Sequence, residues 1–234
     1  MRSLAALALA LSAGAAAADT ITAARYAEPT TRYAHAVLGD AIEYGALILS
    51  LSDGSERQFV LPETRVFEDT EPRLADLDQD GAPEVIVVES DSRLGARLVV
   101  YGPAGEIAST PNIGRSFRWL APVGAADLDA DGAVEIAFVD RPHLAKRLRV
   151  WRFRDGALNE VTFADGFSNH RIGEPDIAGG IRDCGQGPEM IVATGDWRRL
   201  VAVTLSNGTL AVEDIGPHKD RASFATAMAC QTPS

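Results

Sequence analysis

The chain has 234 residues, of which 33 are acidic and 22 are basic, so its formal net charge is −11. This acidity argues against non-specific binding to nucleic acid and against docking on anionic lipid. Hydrophobic residues make up 46% of the chain and charged residues 24%, which is typical of a globular protein with an ordinary core. The composition therefore excludes a largely disordered chain and a basic nucleic-acid binder.

The N-terminal segment 1–18 is predicted to be a secretory signal peptide. It combines Arg2, an Ala/Leu-rich run and four alanines before Asp19, which is the layout of a basic start, an apolar stretch and a small-residue cleavage site. The apolar run is shorter than the about 20 residues of a membrane span, and no later stretch is long enough. Without this segment the net charge is −12, because Arg2 is lost. We expect an exported protein, either periplasmic or extracellular.

Four turn sequences reveal an internal repeat. Each stands between two strand-like runs, and their glycines, Gly54, Gly105, Gly156 and Gly208, are 51, 51 and 52 residues apart. Three of the turns read Asp-Gly or Asn-Gly, which favours tight hairpins because these residues tolerate positive φ. Strands are predicted before the turns at 46–51, 98–101, 148–153 and 200–205. A second, more apolar strand is predicted further upstream at 33–38, 84–88, 135–139 and 189–193.

These repeats predict an all-β fold, a small β-propeller of four blades with about 51 residues per repeat. Blades arranged around an axis leave only short, protected edges, whereas a solenoid needs polar caps that the chain does not show. We expect a lead-in segment at 19–32 and one monomeric domain over 33–234. Its repeats are placed at about 33–69, 70–114, 115–166 and 167–216, with a closing strand at 222–230 that pairs with the first unit. Ile21–Tyr26 also resembles an inner strand, so five blades with one incomplete is the alternative.

Two cysteines, Cys184 and Cys230, lie in the part of the chain that follows the predicted signal peptide. An even number of cysteines in an exported chain favours a disulfide bond between them. Two buried free thiols are the alternative.

Two units carry a dense acidic loop. The side chains in question are Asp76, Asp78, Asp80 and Glu84 in the second unit, and Asp127, Asp129, Asp131 and Glu135 in the third. Carboxylates this dense repel one another without a cation, and an all-oxygen set suits Ca²⁺ better than Mg²⁺, which keeps more of its water. The twelfth positions hold Val87 and Phe138 rather than glutamate, so the loops are not EF-hands. Solvated acidic turns are the alternative.

The segments 75–88 and 126–139 resemble the FG-GAP/VCBS repeat of integrin α-type β-propellers. The resemblance covers about 70–165 and implies two structural calcium ions, held by the two sets of carboxylates just named. It weakens in the fourth unit, which keeps only Asp183 and Glu189. We therefore expect no tight calcium site there, and none in the first unit. The family includes adhesion domains, carbohydrate-associated modules and a few enzymes, so the fold alone does not assign a function.

Loops at the opposite ends of the strands are rich in basic and aromatic residues, which suit an anionic or sugar-like ligand. The candidate binding residues are Arg115, Arg118, Trp119, Arg141, His143, His170, Arg171, Trp197, His218 and Arg221. For any one of them, a bond to a backbone carbonyl or a place in the core is the alternative. No common catalytic motif is present.

The sequence thus predicts a binding or interaction module with an unknown protein, carbohydrate or small anionic partner. An exported enzyme acting on an anionic or carbohydrate substrate is the alternative function. In that case His143, His170 and His218 are the candidate acid–base groups.

Overall fold

The computed structural model describes residues 19–233, so the predicted signal peptide lies outside the described residues. The described part of the chain consists of antiparallel β-strands and one short helix, which confirms the predicted all-β class. No helix within residues 19–233 is long and apolar enough to cross a membrane.

The strands fall into four consecutive units. Unit one contains β1 (Ile21–Thr30), β2 (Glu43–Leu51), β3 (Glu56–Val60) and β4 (Arg65–Phe67). Unit two contains β5 (Arg73–Ala75), β6 (Glu84–Asp91), β7 (Gly95–Gly102) and β8 (Gly105–Ser109). Unit three contains β9 (Leu120–Ala126), β10 (Glu135–Asp140), β11 (Arg147–Arg154) and β12 (Ala157–Asp165). Unit four contains β13 (Phe167–Ser168), β14 (Gly180–Asp183), β15 (Pro188–Thr194), β16 (Arg199–Ser206), β17 (Thr209–Pro217) and the helix α1 (Arg221–Met228).

The predicted hairpins are confirmed. Their glycines have φ of +84°, +129°, +70° and +73° in chain order, in the region that residues with a Cβ rarely adopt. The hairpins pair β2 with β3, β7 with β8, β11 with β12 and β16 with β17.

The central strands β6 and β10 are buried on both faces, which explains why their sequences are continuously apolar. In β6, Val87 packs toward unit one and Val88 toward unit three. In β10, Phe138 packs toward unit two and Val139 toward unit four. Because alternate side chains point to opposite faces of a strand, units two and three each pack face to face between their two neighbours.

Units one and two are joined more closely than the repeat predicts. The short strand β4 pairs with β2 through Tyr44 and Phe67, and it also pairs with β6. The two units therefore form one eight-stranded sheet, whereas units three and four form sheets of four and five strands.

The strand predicted at 33–38 is wrong. This segment turns instead: the His35 N–H donates to the Tyr33 carbonyl at 2.9 Å, and Ala36 has φ +56°. Its place beside β2 is taken by β1, which begins at Ile21 within the predicted lead-in. Ile21–Tyr26 is therefore a strand, as the sequence suggested. It is not an inner strand, because it pairs directly with β2, the strand that enters the hairpin of unit one.

The closing strand predicted at 222–230 is also wrong, because this segment forms α1. Asp220 caps the helix by accepting from Ser223 N, and Ser223 caps Asp220 in return. This reciprocal cap and the alanine-rich sequence favour a helix over a strand. Phe224 and Ala227 pack against unit four itself. Units one and four meet through loops, where Gly173 N–H donates to the Val37 carbonyl at 2.9 Å.

The predicted disulfide bond is present between Cys184 and Cys230, with Cα atoms 5.7 Å apart. It connects the end of α1 to the loop that follows β14.

Candidate functional site

The first acidic loop connects β5 to β6 and brings three carboxylates together. One oxygen from each of Asp76, Asp78 and Glu84 lies within 4.8 Å of the others. Positive φ at Gln79 (+61°) and Gly81 (+91°) turns the chain sharply. Glu84 is nearly buried, with 8% of its surface exposed, and accepts from Leu77 N–H at 2.9 Å.

The electrostatics of this loop favour a cation. Burial raises the pKa of Glu84, and the nearby charges of Asp78 and Asp80 raise it further. The Oδ1 atom of Asp76 is buried and lacks a hydrogen-bond partner among the described residues. An orphaned carboxylate oxygen is costly in a protein interior, and a hard, oxygen-preferring metal ion would satisfy it.

The second acidic loop, between β9 and β10, repeats this geometry. Asp127, Asp129 and Glu135 form the equivalent cluster within 4.8 Å. Glu135 is fully buried and accepts from Leu128 N–H at 2.9 Å. Here the orphaned oxygen is Asp129 Oδ1, at the loop position equivalent to Asp78.

Asp80 and Asp131 lie outside these three-residue clusters. Their Oδ1 atoms instead accept from Ala82 N–H at 2.8 Å and from Ala133 N–H at 2.9 Å. They shape the loops, and their role as metal ligands stays a prediction.

The second loop contains a cation that sequence reasoning missed. Arg152, on the adjacent strand β11, contacts Glu135 Oε1 at 2.5 Å and the Oδ2 atoms of Asp129 and Asp131 at 2.9 Å each. The pairing of β10 with β11 could have revealed this contact, because its register places Arg152 opposite Glu135.

The histidine-bearing loops lie at the other ends of the strands. In β10, Glu135 is next to the acidic loop and Asp140 is next to the loop that carries His143, so the two sites are separated by about 17 Å of strand. Beside this loop is a pocket of about 280 Å³. Its lining includes four of the predicted residues, namely Arg118, Trp119, Arg141 and His143.

A chain of hydrogen bonds fixes His143 in the pocket wall. His170 Nε2 lies 2.9 Å from the Glu174 carbonyl, which only accepts, so Nε2 carries the proton. His170 Nδ1 then accepts from His143 Nε2 at 3.0 Å. Burial lowers the pKa of His143 to about 4 and also lowers the pKa of His170, so both rings are neutral at pH 7.

A second imidazole, His35, also lines the pocket and was not predicted. Its Nδ1 lies 2.5 Å from Glu68 Oε1, and Ser90 Oγ donates to the other oxygen of this carboxylate. Burial raises the pKa of Glu68, although His35 opposes this effect. The contact to Glu68 orients the ring and leaves His35 Nε2 available to a ligand. No local motif marks His35, because Glu68 is 33 residues further along the chain.

Trp119 lines the pocket and is also part of the buried core. It is 2% exposed and its Nε1–H donates to the Glu68 carbonyl at 2.7 Å. The pocket rim contains Phe117, Leu144 and Ile172, which are large apolar residues with 46%, 63% and 72% of their surface exposed.

The remaining predicted binding residues lie outside this pocket. Arg171 stacks over Trp197, with its guanidinium carbon 4.2 Å from the ring centroid, and His218 Nδ1 lies 3.1 Å from the Trp197 carbonyl. Arg221 forms ion pairs with Asp176 and Glu174. Arg115 is exposed, and its carbonyl lies so close to Gly95 that a Cβ there would clash.

Comparisons with known proteins bear on the acidic loops. Residues 76–138 match the family model of the FG-GAP-like repeat. No protein with a curated description matches the chain significantly.

Several solved structures are similar to the chain at low identity. The exotype rhamnogalacturonan lyase YesX is 18% identical with a TM-score of 0.43, covering 84% of this chain and 36% of that chain. The rhamnogalacturonan lyase PL11 of Bacillus licheniformis is 17% identical with a TM-score of 0.43, covering 80% of this chain and 44% of that chain. The calcium-binding protein regucalcin of Agrobacterium tumefaciens is 17% identical with a TM-score of 0.33, covering 83% of this chain and 63% of that chain. The chain thus spans less than half the length of either lyase.

The match to the family model confirms the resemblance drawn from the acidic loops, since both loops lie within the matched segment. Residues 76–138 form an FG-GAP-like repeat.

Proposed function

We propose that this protein is an exported, calcium-stabilised β-propeller of the FG-GAP type that acts as a monomeric binding module. The observation that carries the proposal is the pair of matching carboxylate clusters, each with one buried oxygen that has no hydrogen-bond partner among residues 19–233. The disulfide bond fits an oxidising compartment outside the cytoplasm.

Calcium has a structural role in this proposal. Asp76, Asp78 and Glu84 hold one ion and the equivalent residues of unit three hold the other, with Asp80 and Asp131 as further candidates. A bound cation supplies positive charge that offsets the repulsion among the carboxylates. The chain's own contribution is to fix the loop through its turn and the Leu77 N–H donor, so that the strands β5 and β6 remain paired.

The proposed ligand site is the pocket that His35 and His143 line. Arg118 has no ion-pair partner among the described residues (its Nη1 donates only to the Phe117 carbonyl), so its charge remains available. The rim supplies apolar surface, and the His35 and His143 imidazoles supply polar groups in the pocket wall. A small carbohydrate or an anionic ligand with one apolar face matches this combination.

Calcium binding is tested by calorimetry and thermal unfolding of the chelator-treated protein. We expect calcium to raise the melting temperature markedly, because it binds only the folded loops. Asp76→Asn should weaken this effect, and Asp155→Asn is the matched control because Asp155 is an exposed acidic residue in a hairpin turn. An unchanged melting curve together with no bound calcium contradicts the proposal.

Ligand binding is tested with a panel of neutral and acidic monosaccharides, observed by ligand-detected NMR. We expect acidic sugars to bind and Arg118→Ala to abolish the signal. Arg93→Ala is the control, since Arg93 is an exposed arginine in a different loop. Equal binding to both variants places the ligand elsewhere.

A second candidate function is acid–base catalysis in the same pocket. The contact between His35 and Glu68 favours it, because a carboxylate that orients an imidazole is a common device for proton transfer. His143 is the second candidate group, whereas His218 lies outside the pocket, against Trp197. Under this alternative, His35→Ala abolishes turnover of a bound sugar without weakening its binding, and His218→Ala has no effect on either.

A further inference from the structure

The two acidic loops differ in one charged neighbour. In the second loop, Arg152 lies across three carboxylates, at 2.5–2.9 Å. In the first loop the strand register pairs Val85 with Tyr101, so the residue opposite Glu84 is Gly102, which has no side chain. Among residues 19–233, no basic side chain forms an ion pair with Asp76, Asp78 or Glu84.

Arg152 is placed for this contact by the fold. Its neighbours on β11, Trp151 and Phe153, pack in the core between units two and three, which fixes the strand. The arginine side chain itself is only 20% exposed. An ion pair shielded in this way is far less screened by salt than a surface pair. The guanidinium therefore remains at the loop as a permanent positive charge, because arginine does not lose its proton at physiological pH.

We propose that the protein has two unequal calcium sites, and that Arg152 acts as a built-in cation that weakens calcium binding in the second loop. This inference rests on the proposed calcium function. The first loop is the high-affinity site because its charge is uncompensated. The second loop is already partly neutralised, and it retains one free ligand atom, Asp129 Oδ1.

Electrostatics sets the size of the difference. A divalent ion placed among these carboxylates lies within a few ångströms of the guanidinium, and repulsion between like charges at this range lowers affinity at least ~10-fold even at the dielectric constant of water. Calcium must also compete for oxygens that Arg152 already contacts. The second loop should therefore fill only at a higher calcium concentration than the first.

The same arrangement predicts different behaviour without calcium. The second loop keeps Arg152 as an internal counter-ion, whereas no basic side chain in the described part of the chain pairs with the first. Chelation should therefore loosen the loop between β5 and β6 before it affects the loop between β9 and β10.

The test is isothermal titration of calcium into the chelator-treated, disulfide-bonded protein. Wild type should bind in two steps, and Asp76→Asn should remove the tighter step alone. Arg152→Ala should strengthen the weaker step at least ~10-fold, so that the two steps merge. Arg154→Ala is the matched control, because Arg154 is exposed at the end of the same strand.

Thermal unfolding supplies an independent measurement that also reports on folding. Arg152→Ala should melt at a lower temperature than wild type without calcium, and calcium should restore most of the loss. Arg152→Gln keeps the length of the side chain without its charge and should behave in the same way.

The outcomes separate the two proposals. Equal affinities of both sites in wild type, or loss of the tighter step in Asp127→Asn rather than in Asp76→Asn, overturn the inference and leave the calcium function intact. No calcium binding by wild type or by Arg152→Ala overturns both.

Discussion

The disulfide bond offers the most quantitative prediction for stability. Replacing both Cys184 and Cys230 by serine removes a cross-link between residues that are 46 positions apart. Both residues are exposed, so serine leaves no cavity and buries no unpaired hydroxyl. The change therefore isolates the effect of the cross-link itself.

The magnitude follows from the length of the closed loop. Chain-entropy arithmetic for a loop of 46 residues gives a loss of about 4 kcal/mol in the free energy of unfolding. This is a large fraction of the 5–15 kcal/mol that is typical of a folded domain. The measurement is equilibrium unfolding in urea, followed by tryptophan fluorescence and by circular dichroism.

Local undocking of α1 is the competing outcome, because the helix contacts unit four through only a few buried side chains, including Phe224 and Ala227. Hydrogen exchange distinguishes it: undocking exposes the amides of α1 while β15 stays protected. The control is wild type under reducing conditions, which should match the double variant. A loss below about 1 kcal/mol with α1 still protected refutes the reasoning that the cross-link acts on the unfolded chain.

Three further changes test the interior. Burial and the neighbouring carboxylates raise the pKa of Glu43 from 4.5 to about 9, so the folded protein holds a proton that the unfolded chain releases. The free energy of unfolding should then fall by up to about 1.4 kcal/mol per pH unit as pH rises through this window. Glu43→Gln should reduce that slope in urea titrations at pH 5–9, while Glu68, whose pKa burial also raises, continues to contribute to it. Gly95→Ala should cost at least ~2 kcal/mol, because φ is +72° and a Cβ would lie 2.1 Å from the Arg115 carbonyl; wild-type stability would contradict this. Trp119→Phe should cost about 2–4 kcal/mol, because it leaves a cavity and an unpaired Glu68 carbonyl, and an unchanged urea midpoint would refute it.

Local sequence patterns predicted the parts of the fold that depend on local chemistry. Glycines such as Gly54 and Gly156 mark hairpins because the turn requires positive φ at that position. The apolar runs of β6 and β10 mark central strands because both faces are covered. The acidic loops could be located for the same reason, since their ligands and their turn residues lie within nine positions of one another.

Features that depend on distant residues could not be predicted in this way. A short alternating run at 33–38 resembles a strand. The edge of β2 on which it would pair is occupied by β1, which is longer and pairs along the whole of β2. The run at 222–230 has apolar residues that suit either a strand or a helix, and the cap formed by Asp220 and Ser223 decides in favour of the helix. His35 becomes a pocket residue only through Glu68, which reaches it from a different part of the unit.

The loop before the central strand is stabilised differently in each of the three later units. In unit two its carboxylates pair with no basic side chain within residues 19–233, and calcium is the proposed counter-ion. In unit three Arg152 supplies part of the positive charge. In unit four the acidic set is reduced to Asp183 and Glu189, Arg182 pairs with Glu189 at 2.8 Å, and the disulfide bond fastens the loop covalently to the end of α1.

Under the proposed calcium function, this series predicts that dependence on calcium decreases from unit two to unit four. A loop that carries several carboxylates and no basic neighbour needs an external cation, whereas one with a single ion pair and a covalent tie does not. Unit four thus has fewer carboxylates in this loop, together with the Arg182–Glu189 ion pair and the disulfide bond. Reducing the disulfide should weaken unit four at any calcium concentration, whereas chelation should act mainly on unit two. The two treatments are therefore expected to destabilise different units of the molecule, and hydrogen exchange of β6 and β15 under each treatment measures this difference directly.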